Sequence, residues 1–151
     1  MPNRIVVLLL CAATVAFASS STSRSQPPTK NSLQRHREKA AVASTFAVNV
    51  RDGVHFTLDV RNNTPKMVEL RFRNGQTHDF IVLDESGKQV WRWSEGRMFT
   101  QAYQNKLIKS KDNAVFTDRW SGLNAHGKFT AVAILPSENH PVEQRVEFAL
   151  R

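Results

Sequence analysis

Apolar and polar residues alternate strictly in several short runs of this sequence, and this alternation constrains the fold more than any other feature. In Val54–Asn62 every second residue is apolar, and polar residues such as His55 and Asp59 stand between them. A β-strand places successive side chains on opposite faces, so the pattern predicts a strand with one buried face. A helix would instead need apolar residues three and four positions apart. The alternation therefore favours β-structure.

The same pattern recurs along the chain, with turn residues between the runs. Asn74-Gly75 is typical of a hairpin turn, and Gly87 supplies a residue that tolerates a positive φ after Ser86. The predicted strands cover residues 54–62, 67–73, 79–84, 89–93, 113–120, 128–135 and 142–151. No long helical pattern lies between them. This arrangement predicts an all-β fold, an antiparallel β-sandwich of two sheets.

The first residues have the pattern of a secretory signal peptide. Arg4 precedes an almost wholly apolar run over residues 5–16, and residues 16–18 form an Ala-x-Ala cleavage pattern. The run is too short to cross about 30 Å of hydrocarbon comfortably. We therefore expect residues 1–18 to be removed and the protein to be exported, periplasmic or secreted, with no stable membrane span. An uncleaved segment that anchors the protein in the membrane is the alternative.

The single cysteine limits the chemistry of the exported chain. Cys11 lies inside the expected signal peptide, so the mature chain would have no disulfide, no thiolate nucleophile and no cysteine metal ligand. Leu10 stands before it, where a lipoprotein signal has Gly, Ala or Ser, which makes lipid attachment the weaker interpretation. Stability must then come from a hydrophobic core, for which the chain is long enough.

The basic charge is concentrated ahead of the predicted strands. The whole chain has a net charge of +8. Residues 19–45 hold five basic residues and one acidic residue, which leaves +3 for residues 46–151 once Arg4 is set aside. The segment is rich in Ser and contains Pro27-Pro28, a composition that buries too little apolar surface to order itself. We expect residues 19–45 to be a flexible basic tether and residues 46–151 to be the folded domain.

No catalytic or metal-binding motif is recognisable. Five histidines are present, and none has the spacing of a zinc-binding H-E-x-x-H helix. The sequence also lacks a G-x-S-x-G turn and a glycine-rich phosphate loop. Arginines and aromatics interleave at residues 71–73 and 91–93, as on surfaces that stack nucleic-acid bases. The export signal and the modest domain charge favour sandwich strands instead, so we expect no nucleic-acid partner. Because the catalytic and metal-binding motifs are missing, we also expect that the protein is not an enzyme and that it binds no cofactor or metal.

Residues 74–101, NGQTHDFIVLDESGKQVWRWSEGRMFTQ, resemble the BsuPI family, the intracellular proteinase inhibitors of bacilli and their relatives. The resemblance rests on the lead-in NNTPKMVELRFRNGQTHDF, the hairpin G-x-x-V-W-x-W-S at residues 87–94 and MFTQ shortly after it, and it covers roughly residues 56–129. It implies an immunoglobulin-like β-sandwich and a proteinase-binding activity, and it transfers no reactive site. The family-motif residues are Gly75, Gln76, Asp79, Phe80, Trp91, Trp93, Ser94, Phe99 and Gln101.

Aromatic residues of this motif are expected to face the core. Trp91 and Trp93 are two positions apart, so they project from the same face of a strand. With Phe80 and Phe99 they are expected to form part of the sandwich core, where buried rings contribute large areas. Arg92, between the two tryptophans, is expected to point the other way.

Polar residues stand among these aromatics, and two interpretations of them remain open. Asp79, Ser94, Thr100 and Gln101 lie beside apolar neighbours. Buried polar groups need partners, so one interpretation is a hydrogen-bond network that holds the loop after Trp93 in place. The other is that the loop held in this way is a recognition surface.

Residues 94–98, here called the contact loop, are the predicted contact with a protein partner. Its members are Ser94, Glu95, Gly96, Arg97 and Met98. Arg97 is a side chain of the kind that fills a trypsin-like specificity pocket, and Met98 is an adaptable apolar one. The alternative is that the contact loop only connects two sheets and that Arg97 is solvated. Two competing loops are residues 106–113, which include Lys109, and residues 121–127, which include His126.

Two functions remain open at this point. The first is an exported protein-binding domain that inhibits a proteinase of the envelope or medium, with a serine protease as the first class to test. If the export signal works, an intracellular proteinase cannot be the partner. The second is a non-inhibitory immunoglobulin-like module, such as an envelope adaptor or accessory binding domain, because fold does not dictate function.

Overall fold

The computed structural model describes residues 41–122 and 124–151, so the expected signal peptide and nearly all of the expected tether lie outside the described residues. Within these residues the chain forms nine strands. They are β1 (Val42–Val50), β2 (Val54–Asn62), β3 (Val68–Phe72), β4 (Asp79–Asp84), β5 (Gln89–Arg92), β6 (Gln104–Ile108), β7 (Asn113–Trp120), β8 (Gly127–Leu135) and β9 (Val142–Leu150). The predicted all-β fold class is confirmed.

Alternating apolar residues explain why seven of these strands follow the predicted bounds to within one residue. β2 shows the reason, because Val54, Phe56, Leu58 and Val60 are all buried on one face. Strands β1 and β6 were not predicted. β1 begins at Val42, ahead of residue 46, where the sequence placed the start of the domain.

Strand β6 corrects the prediction of a loop at residues 106–113. Residues 104–108 pair with β3, in the register Leu70↔Lys106, and only residues 109–112 remain as a turn before β7. Four of the five β6 residues are exposed and only Ile108 is buried. A strand with so little burial has no apolar alternation, so the sequence could not reveal it.

Hydrogen-bond pairing divides the described strands into three sheets, where the sequence predicted two. Their strand orders are β1-β2-β7, β3-β6 and β5-β4-β8-β9, and all neighbours are antiparallel. The three-stranded and four-stranded sheets face each other across the core. Phe56 of β2 stacks on Phe80 of β4 with ring centroids 5.5 Å apart, and Phe46 of β1 stacks on Phe80 at 5.8 Å. Sequence alternation shows which face of a strand is buried but not which strands pair.

The buried polar residue Asn62 holds the small sheet against the rest of the domain. Its side-chain amide lies 3.1 Å from the Ile108 carbonyl and 3.0 Å from the Lys109 carbonyl, at the end of β6. Its Oδ1 accepts a hydrogen bond from the Thr64 backbone N–H at 2.9 Å. Because these directional bonds join β2, the following turn and the end of β6, they fix where β6 ends against β2.

Candidate functional site

The β5–β6 connection, residues 93–103, contains the whole contact loop. It joins the edge strand of the four-stranded sheet to the two-stranded sheet. Among the described residues, the two most exposed large apolar side chains both lie in this connection: Met98 is 98% exposed and Tyr103 is 73% exposed. Apolar area of this kind is available for burial against another molecule.

The carboxylate of Asp79 holds the start of the contact loop. Asp79 is only 1% exposed, and its Oδ2 accepts hydrogen bonds from Arg92 Nε at 2.7 Å, Ser94 Oγ at 2.8 Å and Gln76 Nε2 at 3.0 Å. Its Oδ1 accepts the Ser94 backbone N–H at 3.1 Å. Hydrogen bonds to an ionised group are stronger than neutral ones, so these four contacts compensate the carboxylate for its loss of water.

The network differs in membership from the one that the sequence suggested. Asp79 and Ser94 lie in it, and Arg92 belongs to it as well. Gln101 does not, because its Nε2 donates to the carbonyl of Phe99 at 3.3 Å. Thr100 contributes its backbone carbonyl to another contact. Both lie in the second half of the connection between β5 and β6.

A tight turn begins the contact loop. The backbone N–H of Arg97 donates to the carbonyl of Ser94 at 3.2 Å, and that of Glu95 donates to the carbonyl of Arg92 at 3.2 Å. Gly96 has a φ of +73°, which residues with a Cβ rarely adopt. A Cβ added at Gly96 would meet nothing within 4 Å, so the turn needs glycine for its backbone conformation and not for space.

Arg97 is folded back onto the domain. Its Nε donates to the carbonyl of Trp93 at 2.9 Å, and its guanidinium carbon lies 4.5 Å from the centre of the Trp93 ring. Its Nη2 also lies 3.8 Å from Oδ2 of Asp118 on β7. The side chain is still 52% exposed. These three contacts hold the Arg97 side chain against Trp93 and Asp118, whereas the Met98 side chain next to it extends into solvent.

The far end of the contact loop is also held. The rings of Trp93 and Phe99 pack at 5.6 Å, so the residues on either side of the loop contact each other. The Gly75 backbone N–H donates to the Thr100 carbonyl at 2.9 Å. A Cβ at Gly75 would lie 2.7 Å from Thr100 Oγ1, so a larger residue there would force the Thr100 side chain to move. Family-motif residues that are distant in sequence therefore meet around one loop.

The two tryptophans lie less deeply than the sequence predicted. Phe80 is fully buried, but Trp91, Trp93 and Phe99 are half-buried. Trp91 stacks on Phe56 with centroids 5.5 Å apart, so it covers the edge of the core. Trp93 lies just beyond β5, and its backbone N–H donates to the Phe80 carbonyl at 2.8 Å. The core prediction is thus right for Phe80 and is corrected to a half-buried rim for the other three.

Sequence reasoning missed His78, which lies beneath the loop. Its ring centroid is 4.1 Å from that of Trp93 and 5.2 Å from that of Phe116. Burial lowers the pKa of His78, an effect that the carboxylates of Asp118 and Asp79 partly oppose. His78 Nε2 is buried with no hydrogen-bond partner. Its position two residues before buried Phe80 was the available signal for its burial, because the alternation of β4, continued back by one residue, puts the two side chains on one face.

The second competing loop lies elsewhere. In residues 121–127 the Ala125 backbone N–H donates to the Gly122 carbonyl at 3.0 Å, and His126 is exposed. Gly122 lies near Val54 and Leu150, at the ends of β2 and β9. This loop has no ring packing or charged network comparable to that around the contact loop among the described residues.

The described part of the chain holds neither a metal-binding cluster nor a helix that could span a membrane. No three His, Cys, Asp or Glu side chains there are grouped so as to hold a metal ion. No helix within residues 41–122 and 124–151 has the length and apolarity needed to cross a bilayer. Two hydroxyls near the contact loop lie beside titratable groups: Ser94 Oγ donates to Asp79 Oδ2 at 2.8 Å, and Thr77 Oγ1 lies 3.3 Å from His78 Nδ1.

One family model matches the chain, over residues 42–140, and its description is intracellular proteinase inhibitor, BsuPI. The matched range includes the Asp79 network, the contact loop and all strands except β9. No curated protein matches the chain.

Solved structures that resemble the fold are much larger glycosidases. A β-glucuronidase from glycoside hydrolase family 2 is 11% identical, with 74% of this chain and 11% of that chain covered and a TM-score of 0.40. A β-glucuronidase 2 of Bacteroides uniformis is 10% identical, with 74% of this chain and 13% of that chain covered and a TM-score of 0.40. Likenesses this weak say nothing about activity.

Proposed function

Because the chain belongs to the BsuPI family of intracellular proteinase inhibitors, we propose that it is an exported protein-binding domain that inhibits a proteinase. The contact loop, residues 94–98, is the centre of its binding surface. A serine protease is the first class to test as partner. The family description is intracellular, and the proposal departs from it because the N-terminal pattern is that of a secretory signal. The partner would then act in the periplasm or the medium.

One observation carries the choice of loop. The contact loop is held at its start by Ser94 on Asp79 and at its end by Thr100 on Gly75, and it still exposes Met98 almost completely. A segment that is already ordered loses less conformational entropy when it binds, so more of its interaction energy appears as affinity. An inhibitor loop also has to resist displacement within the complex, which contacts at both ends favour.

The inhibition can be tested with the mature chain, residues 19–151. It is titrated against proteases of trypsin-like, chymotrypsin-like and subtilisin-like specificity, with residual activity and calorimetry as the two measurements. We expect saturable inhibition of at least one of them. If no protease is bound or inhibited, the proposed function is wrong and a non-inhibitory immunoglobulin-like module is favoured.

The choice of loop can be tested with one basic residue from each candidate loop. Arg97→Ala, Lys109→Ala and His126→Ala are compared in binding to the same protease, and their stabilities are measured alongside. We expect Arg97→Ala to weaken binding, because it releases contacts with Trp93 and Asp118 that shape the loop. Unchanged affinity for Arg97→Ala, together with a loss for one of the other two, would assign the site to a different loop.

Export can be tested separately. We expect N-terminal sequencing of the protein recovered from outside the cytoplasm to begin at Ser19, because residues 16–18 have the cleavage pattern. A control in which Ala18 is replaced by a bulky residue, Ala18→Trp, should accumulate uncleaved protein. An intact Met1 in the wild-type protein would instead support the membrane-anchored alternative.

A further inference from the structure

Two neighbouring side chains of the contact loop differ sharply in their freedom. Arg97 has three contacts with the rest of the domain: a hydrogen bond to the Trp93 carbonyl at 2.9 Å, its place over the Trp93 ring at 4.5 Å, and Asp118 at 3.8 Å. Met98 is 98% exposed, the highest value among the described large apolar residues. One of these two is built into the domain and the other is presented to solvent.

We infer that Met98 is the side chain that enters the specificity pocket of the bound proteinase, and that this pocket is apolar. Arg97 is a positioning residue that holds the loop. The inference rests on the proposed function and deepens it by naming the class of partner. A proteinase whose pocket is acidic and selects Lys or Arg is then a poor partner.

The contacts of Arg97 argue against its insertion into an acidic pocket. To reach such a pocket the guanidinium would have to leave the Trp93 carbonyl, the Trp93 ring and Asp118 together. Its departure would also uncover the apolar indole face that the guanidinium now covers. Each of these losses opposes the gain from the new charge pair, and Arg97 would also give up the loop geometry that it supports.

The surroundings of Met98 favour its insertion into an apolar pocket. The residue before it is held by Trp93, the residue after it, Phe99, packs on the same ring at 5.6 Å, and Thr100 accepts the Gly75 N–H at 2.9 Å. The backbone on both sides of Met98 is therefore constrained, while the Met98 side chain itself projects into solvent. An unbranched thioether adapts to pockets of different shape, and its burial removes apolar area from water.

The test compares variants at these two positions in binding to proteases with acidic and with apolar pockets. Met98→Ala should weaken binding to the preferred protease by about tenfold or more, the loss expected when a methionine no longer buries its side chain. Met98→Leu should restore most of the affinity because it keeps apolar volume. Met67→Ala is the matched control: Met67 is also an exposed methionine, at 60%, and lies outside the β5–β6 connection, so binding should not change.

Two further measurements make the inference refutable on its own. A small apolar active-site inhibitor of the protease should compete with the domain, and Met98→Lys should shift preference towards a protease with an acidic pocket. If a protease is bound and Met98→Ala has no more effect than Met67→Ala, the inference is overturned while the proposed function stands. It is also overturned if the tightest partner has an acidic pocket and Arg97→Ala abolishes that binding. Absence of any binding overturns both.

Discussion

His78 and Asp79 are adjacent, yet they support the contact loop in opposite ways. Asp79 accepts four hydrogen bonds, two of them from Ser94. His78 packs its ring against Trp93 and Phe116 and leaves Nε2 without a hydrogen-bond partner. His78 stands directly before β4 and Asp79 begins it, so two successive residues of one stretch of backbone supply an apolar and a polar support. The polar side determines position through directional bonds, and the apolar side contributes buried area.

The largest effect is expected from removal of the Trp93 ring, against which His78 packs. Trp93→Ala should lower the free energy of unfolding by about 3 kcal/mol, the lower end of the range for large aromatic truncations, because Trp93 is half-buried. Chemical denaturation measures the change, with Val90→Ala on the exposed part of β5 as the control. A loss below about 1 kcal/mol would show that Trp93 is a surface residue.

Removal of the polar support should cost somewhat less. Asp79→Ala should lower the free energy of unfolding by about 2 kcal/mol, the scale of a hydrogen bond to a charged group. The Arg92 side chain that it leaves behind is 41% exposed and can reach water, which limits the penalty. Glu69→Ala, at an exposed carboxylate on β3, is the control and should change stability by no more than about 0.5 kcal/mol. Equal losses for the two variants would mean that the Asp79 network contributes nothing.

Both supports act on a turn whose own contribution can be isolated. Gly96→Ala should cost about 1 kcal/mol, because a residue with a Cβ is strained at a φ of +73°. Gly87→Ala is a matched control, since Gly87 has a φ of +81° and equally open surroundings in the β4–β5 turn. The two variants should be equally destabilised, while only Gly96→Ala weakens binding to the partner. Equal binding losses would argue against the contact loop as the site.

The smallest effect is expected from pH, because His78 is half-buried and water screens part of its charge. Burial lowers the pKa of His78 in the folded state, so the unfolded chain takes up the proton more readily. The stability that neutral His78 contributes is therefore complete above about pH 6.5 and is lost as pH falls through the lower folded pKa. Asp118 and Asp79 oppose this lowering, and Arg97 adds to it.

Denaturation midpoints measured between pH 7 and pH 5 test this dependence. His78→Phe keeps an aromatic ring against Trp93 and cannot be protonated, so it should flatten the profile over this range. His126→Phe, at an exposed histidine, should leave the wild-type profile unchanged. An unchanged slope in His78→Phe would show that another group causes the loss.

Much of the fold could be predicted because apolar alternation is a local property. Seven strands follow it closely, and β2 buries every apolar residue that the pattern assigned to its inner face. Strands β1 and β6 were missed, and β6 buries only Ile108 and is a strand because β3 pairs with it. Hydrogen-bond pairing between segments distant in sequence leaves no periodic trace in either segment, so the pattern could not reveal this strand or the number of sheets.

The sequence alone identified the contact loop as a candidate and predicted that polar residues near Trp93 would need partners. It could not say which ones, because the donors of the Asp79 carboxylate come from β5, from the turn before β4 and from the loop itself. It named both Arg97 and Met98 as candidates for contact with the partner. Only the tertiary structure separates them, because β7 brings Asp118 to the guanidinium, whereas none of the nine described strands covers the thioether. Exposure depends on what the rest of the chain places beside a residue, and that is settled by packing and not by the residue's own chemistry.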